Sequence, residues 1–385
     1  MKRNQLVFFL IIGMAVAIVG VGLLMQAGGN GGSTDAPDPT NTPTGPAIIL
    51  QVAVTPVLEP WIADAASAFN TTNPTVSGRA VSVRVTRQDS VSIWAESGGA
   101  WTTLNHPQVW IPEASYAVAF ANEVNLRYST IQPSLAQTPI IWGAYQTRST
   151  VIIDAYNAFT TDAVQEAAVE GRWENIGGNS RWQFIKIAFA RPNSNGSGLA
   201  ALLTLAGEYA GEASLTNNLM SDAALLDWLE PVINAVPNFS TLGPDPALTM
   251  ANRGTSTGEI GLLPESQWLA HFEDLNGVEP IELFYPDFYV LLDFPYTVWD
   301  GNETSDDERR AAEDFADFLL GPDQQRAAGE MGFRPANGPD LNQLTPFSAA
   351  QGIVQEALGG GEVTPADRPG MLALLRWFEN FRTAP

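Results

Sequence analysis

The sequence predicts an α/β protein: two doubly wound α/β lobes joined by two extended hinge strands, preceded by one N-terminal transmembrane helix. Three observations carry this. A charge-free apolar run of 20 residues, Leu6 to Met25, follows Lys2 and Arg3. Strand patterns and amphipathic helix patterns then alternate, with turn residues between them. Two long β-rich stretches, residues 139–153 and 288–299, interrupt the alternation, and the first is too long for one ordinary central strand.

At about 1.5 Å per residue the apolar run spans roughly 30 Å, the thickness of a bilayer core. Its positive flank should stay cytoplasmic, which puts the rest of the chain outside. A signal-peptide core is usually ~7–15 residues and ends at a small-x-small site. The run here is longer. Its exit, Met25-Gln26-Ala27, has a bulky residue where a small one is preferred, and Ala15-Val16-Ala17 lies inside the run. Residues 1–25 are thus a signal peptide or a signal-anchor helix, with a retained anchor the better fit. Residues 26–46 are mostly Gly, Pro, Ser and Thr. Such a segment cannot bury enough surface to order itself and reads as a linker of about 25 Å reach. The body is expected to be extracytoplasmic, anchored to the cytoplasmic membrane, or secreted if the signal is cleaved.

In the body, residues 47–54 (AIILQVAV) read as a buried strand. A helix follows from Glu59 to Asn70, with Trp61, Ile62, Ala65, Ala66 and Phe69 on one face. Residues 81–86 and 108–112 are further strands, and Glu113-Ala114-Ser115 opens the next helix. Residues 184–189 form a strand that runs into RPNSNGSG and a helix carrying Leu199, Leu202, Leu203, Ala206 and Tyr209 inward. Residues 259–263 are a strand, with a helix opening at Pro264-Glu265-Ser266. Residues 306–320 and 368–381 are amphipathic helices, the last with Pro369 near its first turn. The chain is expected to build one lobe from residues 47–145, a second from 146–288, and to return to the first over 289–385 with its C-terminal helices. A cleft between them would be lined by strand-to-helix turns.

Composition excludes several functions. The 385 residues hold 42 acidic and 19 basic side chains, a net charge of −23 that becomes −25 without Lys2 and Arg3. That argues against nucleic acid and anionic lipid surfaces as partners. With no cysteine, disulfides, thiol chemistry, cysteine zinc sites and cysteine-linked lipid anchors are excluded. Only His106 and His271 are present, so a His-rich metal centre is excluded too. No GxSxG elbow occurs. No cofactor, metal or catalytic residue is expected, and the chain does not read as an enzyme.

The candidate binding residues lie at the turns. Asn193, Ser194, Asn195, Gly196 and Ser197 precede a helix whose free amides can hold an anion or polar ligand. An ordinary N-cap loop has the same composition, and no P-loop lysine is present. Thr55 and Ser115 occupy equivalent turns, where capping is again the alternative. Glu113 and Glu265 are acids in such turns. Facing a cleft they would repel an oxyanion and suit a cation, amine or polyol; elsewhere they would steady a helix N-terminus. Tyr296, in the second crossing, could offer its hydroxyl to a ligand or to backbone. Of the 11 tryptophans, Trp94, Trp110, Trp142 and Trp268 fall near cleft-facing ends, though most read as core.

Five stretches together resemble bacterial extracellular solute-binding proteins, the two-lobed type II-like kind serving ABC importers. They are QVAVTPVLEPWIADAASAFNTTNP, VWIPEAS, SLAQTPIIWGAY, IAFARPNSNGSGLAALLTLAGEY and FADFLLGPDQQRAAGEMGFRPAN, covering residues 47 to 345. The resemblance implies a periplasmic binding protein-like II fold and a monomeric clamp. It would close on a small-molecule solute (an oxyanion, sugar or other small polar ligand) and deliver it to an ABC permease. It places Thr55, Ser115 and the Asn193–Ser197 loop in the cleft. The lipid-modified cysteine of many members is missing, and a retained anchor would replace it. A surface receptor or assembly protein on the same scaffold is the alternative, with an extracytoplasmic hydrolase using His106 or His271 behind it.

Overall fold

The computed structural model of the chain describes residues 45–95, 101–350, 352–354, 358–359 and 361–383. The expected N-terminal helix, residues 6–25, and the linker up to residue 44 lie outside the described residues. Among the described residues no helix is long and apolar enough to cross a membrane.

Among the described residues twelve strands make two sheets. Those of the first are β1 (Ile48–Val54), β2 (Thr75–Val76), β3 (Arg79–Arg87), β4 (Val109–Ile111), β5 (Tyr128–Gln132) and β11 (Tyr296–Trp299), in the order β2-β3-β1-β4-β11-β5. β1 runs parallel to β3 and β4, whereas β11 is antiparallel to β4 and β5. β1 takes the centre because its apolar run can be covered on both faces, the usual character of a parallel strand; Leu50, Val52 and Val54 are wholly buried. The helix Glu59–Thr71 has Pro60 in its first turn and buries Trp61, Ile62, Ala65, Ala66 and Phe69. The helix Asp306–Leu319 opens on a capping box, in which Ser305 and Glu308 satisfy each other's backbone amides.

The second sheet contains β6 (Ala136–Tyr145), β7 (Ile187–Ala188), β8 (Ile260–Pro264), β9 (Ile281–Phe284), β10 (Leu291–Leu292) and β12 (Arg334–Pro335). The path β10-β6-β8-β7 is extended by β9 and β12, which also pair with β6. From Pro43 onward the two sheets belong to one unit.

The first two crossings between the sheets are short; a third, over residues 300–333, leads from β11 to β12. The chain passes from β5 to β6 through residues 133–135 and returns from β10 to β11 through residues 293–295. The two are tied together: the Leu135 amide donates to the Phe294 carbonyl at 3.2 Å. The first crossing thus precedes β6, rather than following it near residue 145. Residues 146–153, expected to extend that strand, begin the helix Gln146–Tyr156. Tertiary contacts override their β-branched preference. Arg148 is buried against Glu259 and Glu279, and the Ser149 hydroxyl is shared between the Gln146 carbonyl and Glu282. Residues 288–299 are not one strand either. Phe294 has φ of +45°, and the proline after it cannot donate to a ladder, so the stretch splits into β10 and β11.

The C-terminal segment, expected with the first lobe, sets residues 361–383 largely against the second half. Phe378 of the helix Arg368–Thr383 meets Phe239 edge-on at 5.4 Å, and the Gly370 amide donates to Asn217. One bond reaches the other half: Arg368 Nε donates to the Trp94 carbonyl at 2.8 Å.

Candidate functional site

Strand-to-helix turns of the two halves meet at a seam. Its centre is Glu113, which follows β4 and is 1% exposed. The Thr55 hydroxyl, just after β1, donates to Glu113 Oε1 at 2.6 Å. From the other half, the N-terminus of the helix Gly196–Ala210 lies directly against the carboxylate. A Cβ at Gly196 would fall 2.2 Å from Glu113 Cδ, so only glycine permits this approach. Glu113 Oε2 has no hydrogen-bond partner of good geometry, although the Gly196 amide is close enough to favour the charged form.

Burial pushes the Glu113 carboxyl up to about 8, and repulsion from Asp89 adds to it; the Thr55 hydroxyl and Gly196 amide only partly offset this. Asp89, in the turn after β3, is itself raised to about 6 by burial, with the Val91 amide pulling it back. Its Oδ1 accepts from that amide at 2.9 Å, and its Oδ2 has no partner. Asp293, in the second crossing, accepts from both the amide and the hydroxyl of Ser115. Burial raises it as well. Tyr116 lies beside all three: burial and then the charges of Glu113, Asp293 and Asp89 hold its phenol protonated far above the usual range. Three helices that open at this seam, at Val91, Ser115 and Gly196, therefore each already carry a carboxylate of the protein at the N-terminus.

The residues expected to bind a ligand divide into two sets. Thr55 and Gly196 meet at Glu113, and Asn195 caps the same helix by accepting from the Gly198 amide at 3.1 Å. Ser197 is buried in its first turn, Ser194 is exposed, and Asn193 Oδ1 is taken by Arg191. Ser115 is at the seam, held by Asp293. Glu265 and Tyr296 are corrections. Both Glu265 oxygens are engaged inside the second half, Oε2 by Arg334 Nε at 2.7 Å and Oε1 by Arg334 Nη2 at 2.8 Å and the Tyr285 hydroxyl. Tyr296 is wholly buried and donates to the Ala312 carbonyl at 2.9 Å. Trp94, Trp110, Trp142 and Trp268 are core residues at 0–1% exposure. Sequence reading missed Asp89, Tyr116 and Asp293. The rule that singled out Thr55 and Ser115 also reaches Asp89, which ends β3 as they end β1 and β4. Asp293 shows no such signal, because it lies in the return crossing.

The model of a bacterial extracellular solute-binding protein family matches residues 50–334. The chain belongs to that family. Comparison with curated protein sequences gives no match. Among solved structures, a chitin oligosaccharide binding protein has a TM-score of 0.57 at 13% identity, covering 85% of this chain and 90% of that one. The periplasmic binding protein AfuA from Actinobacillus pleuropneumoniae, with fructose-6-phosphate bound, has a TM-score of 0.55 at 14% identity, covering 89% and 100%. An ABC transporter solute-binding protein from Agrobacterium radiobacter K84, in complex with ribitol, has a TM-score of 0.55 at 12% identity, covering 88% and 94%. At these identities the likeness is one of fold.

This solute-binding protein also has a cavity of about 630 Å³ between its halves. Pro56, Val57 and Arg87 line it from the first half, and Asp245, Thr249, Ser266, Gln267 and His271 from the second. Ser266 Oγ and Gln267 Oε1 are buried there without partners. His271 Nε2 lies 3.0 Å from Asp245 Oδ2, and His106 stacks on Trp299 at 4.0 Å. Neither histidine has a serine or threonine hydroxyl among its described partners, so neither forms a nucleophile–base pair.

Proposed function

We propose that this solute-binding protein closes its two halves on one small polar solute at the Glu113 seam and the adjoining cavity, and presents it to an ABC permease. The observation that supports this reading is that four of the eight buried side-chain polar atoms without a partner among the described residues lie at the seam or in the cavity. Asp89 Oδ2 and Glu113 Oε2 at the seam, and Ser266 Oγ and Gln267 Oε1 in the cavity, have no hydrogen-bond partner of good geometry among the described residues. A buried polar group left unpaired costs free energy, so such groups in a family of binding proteins are fitted to a ligand that pairs them. Thr55, Ser115 and the Asn193–Ser197 loop would then contribute around that ligand, and Leu6 to Met25 would tether the protein at the membrane.

The test is a thermal-shift screen of the full-length chain against oxyanions, sugars, polyols, amino acids and amines. A ligand of the folded state raises the melting temperature by mass action. Substituting Ser197→Ala should weaken the ligand so found by the equivalent of about 0.5–1.5 kcal/mol, with little change in the unliganded melting temperature. No shift with any class would count against solute binding.

A receptor or assembly role has one observation in its favour. Val169 and Phe184, at 61% and 57% exposure, line a hollow of about 610 Å³ on the second half. Substituting both with Ser would abolish attachment to a partner under that role and leave solute binding unchanged.

A further inference from the structure

The unpaired atoms at the seam share one chemical character. Asp89 Oδ2 and Glu113 Oε2 can only accept hydrogen bonds once both carboxyls are ionised. A ligand that completes their ionised form must therefore donate. A bare oxyanion offers only acceptors, and the positions it would use, the amides at the seam's helix N-termini, already face Asp89, Asp293 and Glu113.

Charge narrows the class further. None of the nine ion pairs found among the described residues includes Asp89, Glu113 or Asp293. No lysine, arginine or histidine contributes to the perturbation of Asp89, Tyr116 or Asp293. The groups facing Glu113 are Asp89 from the turn after β3, Tyr116 from its own helix, uncharged Thr55 from the turn after β1, and the Gly196 amide from the opposite half. Asp293 stands next to Tyr116, and Glu362 next to Asp293. Buried carboxylates without a cation are normally either protonated or completed by a bound one. Among the described residues no group of His, Asp and Glu has the arrangement of a metal site. A polyol could donate hydrogen bonds but could not supply the missing charge.

Resting on the solute-binding reading, we propose that the solute is a small protonated amine, its ammonium group held between the Asp89 and Glu113 carboxylates when the halves close. The ammonium brings donors to Asp89 Oδ2 and Glu113 Oε2, and one positive charge to carboxylates that form no ion pair among the described residues. Tyr116, half-buried beside the acids, adds a phenol oxygen as a further acceptor. The exchange is a proton exchange: Glu113 gives up its proton to solvent as the ammonium binds, so the seam stays near constant charge. Affinity should therefore rise with pH up to about 8, where Glu113 ionises unaided.

The experiment is calorimetric titration of the full-length chain with ethanolamine, putrescine, lysine and ornithine, and with ribitol and sulfate beside them. Titrations are run at pH 6.5, 7.5 and 8.5, and in two buffers of different ionisation enthalpy. The expected result is saturable binding of at least one amine, release of a fraction of a proton at pH 7.5, and several-fold tighter binding at pH 8.5 than at pH 6.5. Glu113→Gln and Asp89→Asn should each weaken that amine at least tenfold, and circular dichroism checks that both variants fold. Binding of ribitol or sulfate without any amine would overturn the amine and leave solute binding standing. Amine binding with no proton release and no loss in either variant would overturn the acidic seam as its site. No binding by any probe would count against both readings.

Discussion

Glu113 sets the energetics at the scale of one residue. Its folded-state carboxyl is raised to about 8, so the folded chain holds this proton more tightly than the unfolded chain does. Such a group favours the folded state fully below its ordinary value near 4.5, and that contribution is lost as pH rises to about 8. Asp89 acts in the same direction over a lower window, up to about 6. Substituting Glu113→Gln keeps the shape and removes the charge. The ligand-free variant should show a flatter decline in melting temperature between pH 5 and 8, and should be more stable than the parent at pH 8 by an amount on the order of a few kcal/mol. An unchanged slope would mean that the carboxylate is better solvated than its burial implies. The sequence showed Glu113 and Thr55 as neighbours of a cleft but not as partners of each other, since the contact spans 58 positions and depends on β1 lying beside β4.

At the scale of elements, much of the strand and helix order was legible because periodicity and turn residues agreed. The helix Asp306–Leu319 appears in sequence with its inward face, and Ser305 with Glu308 marks its start. The failures lie where contacts from distant segments decided the outcome. Residues 146–153 carry Thr, Val and Ile, yet Arg148 finds Glu259 only if the chain turns into a helix there. Glu265 reads as a cleft acid because it ends β8, and its real partner, Arg334, is 69 positions away on β12. That pair is a second test. Arg334→Ala would leave Glu265, wholly buried, without its counter-ion. A loss of about 3–5 kcal/mol in urea unfolding is expected, while a matched apolar replacement of both residues should cost much less.

For the whole molecule, the first two crossings between the sheets take about three residues each and are bonded to one another through Leu135 and Phe294, while a third runs from β11 through two helices to β12. Short, mutually tied crossings favour rotation about one line over independent movement of either half. Two-sheet architecture was visible in sequence through the two long β-rich stretches, although the first crossing lay before its stretch, not within it. The acidic seam was visible only in part: Asp89 stands in a strand-to-helix turn like those of Thr55 and Ser115, whereas Asp293 lies in the return crossing and carries no such signal. Their meaning comes from the fold that gathers them around Tyr116.

The bond from Arg368 to the Trp94 carbonyl bears on time rather than on affinity. The helix that begins at Arg368 is anchored in the second half through Phe378, while Trp94 is buried in the first. Any opening that draws these two apart must first break this bond, which ends on the short helix Val91–Ala95 whose first amide Asp89 holds. Arg368→Ala should therefore shorten the lifetime of the loaded state in stopped-flow displacement, by a fewfold, with a smaller change in the rate of capture. The last segment of the chain would then act as the timer that decides how long a cargo stays aboard before it is handed on.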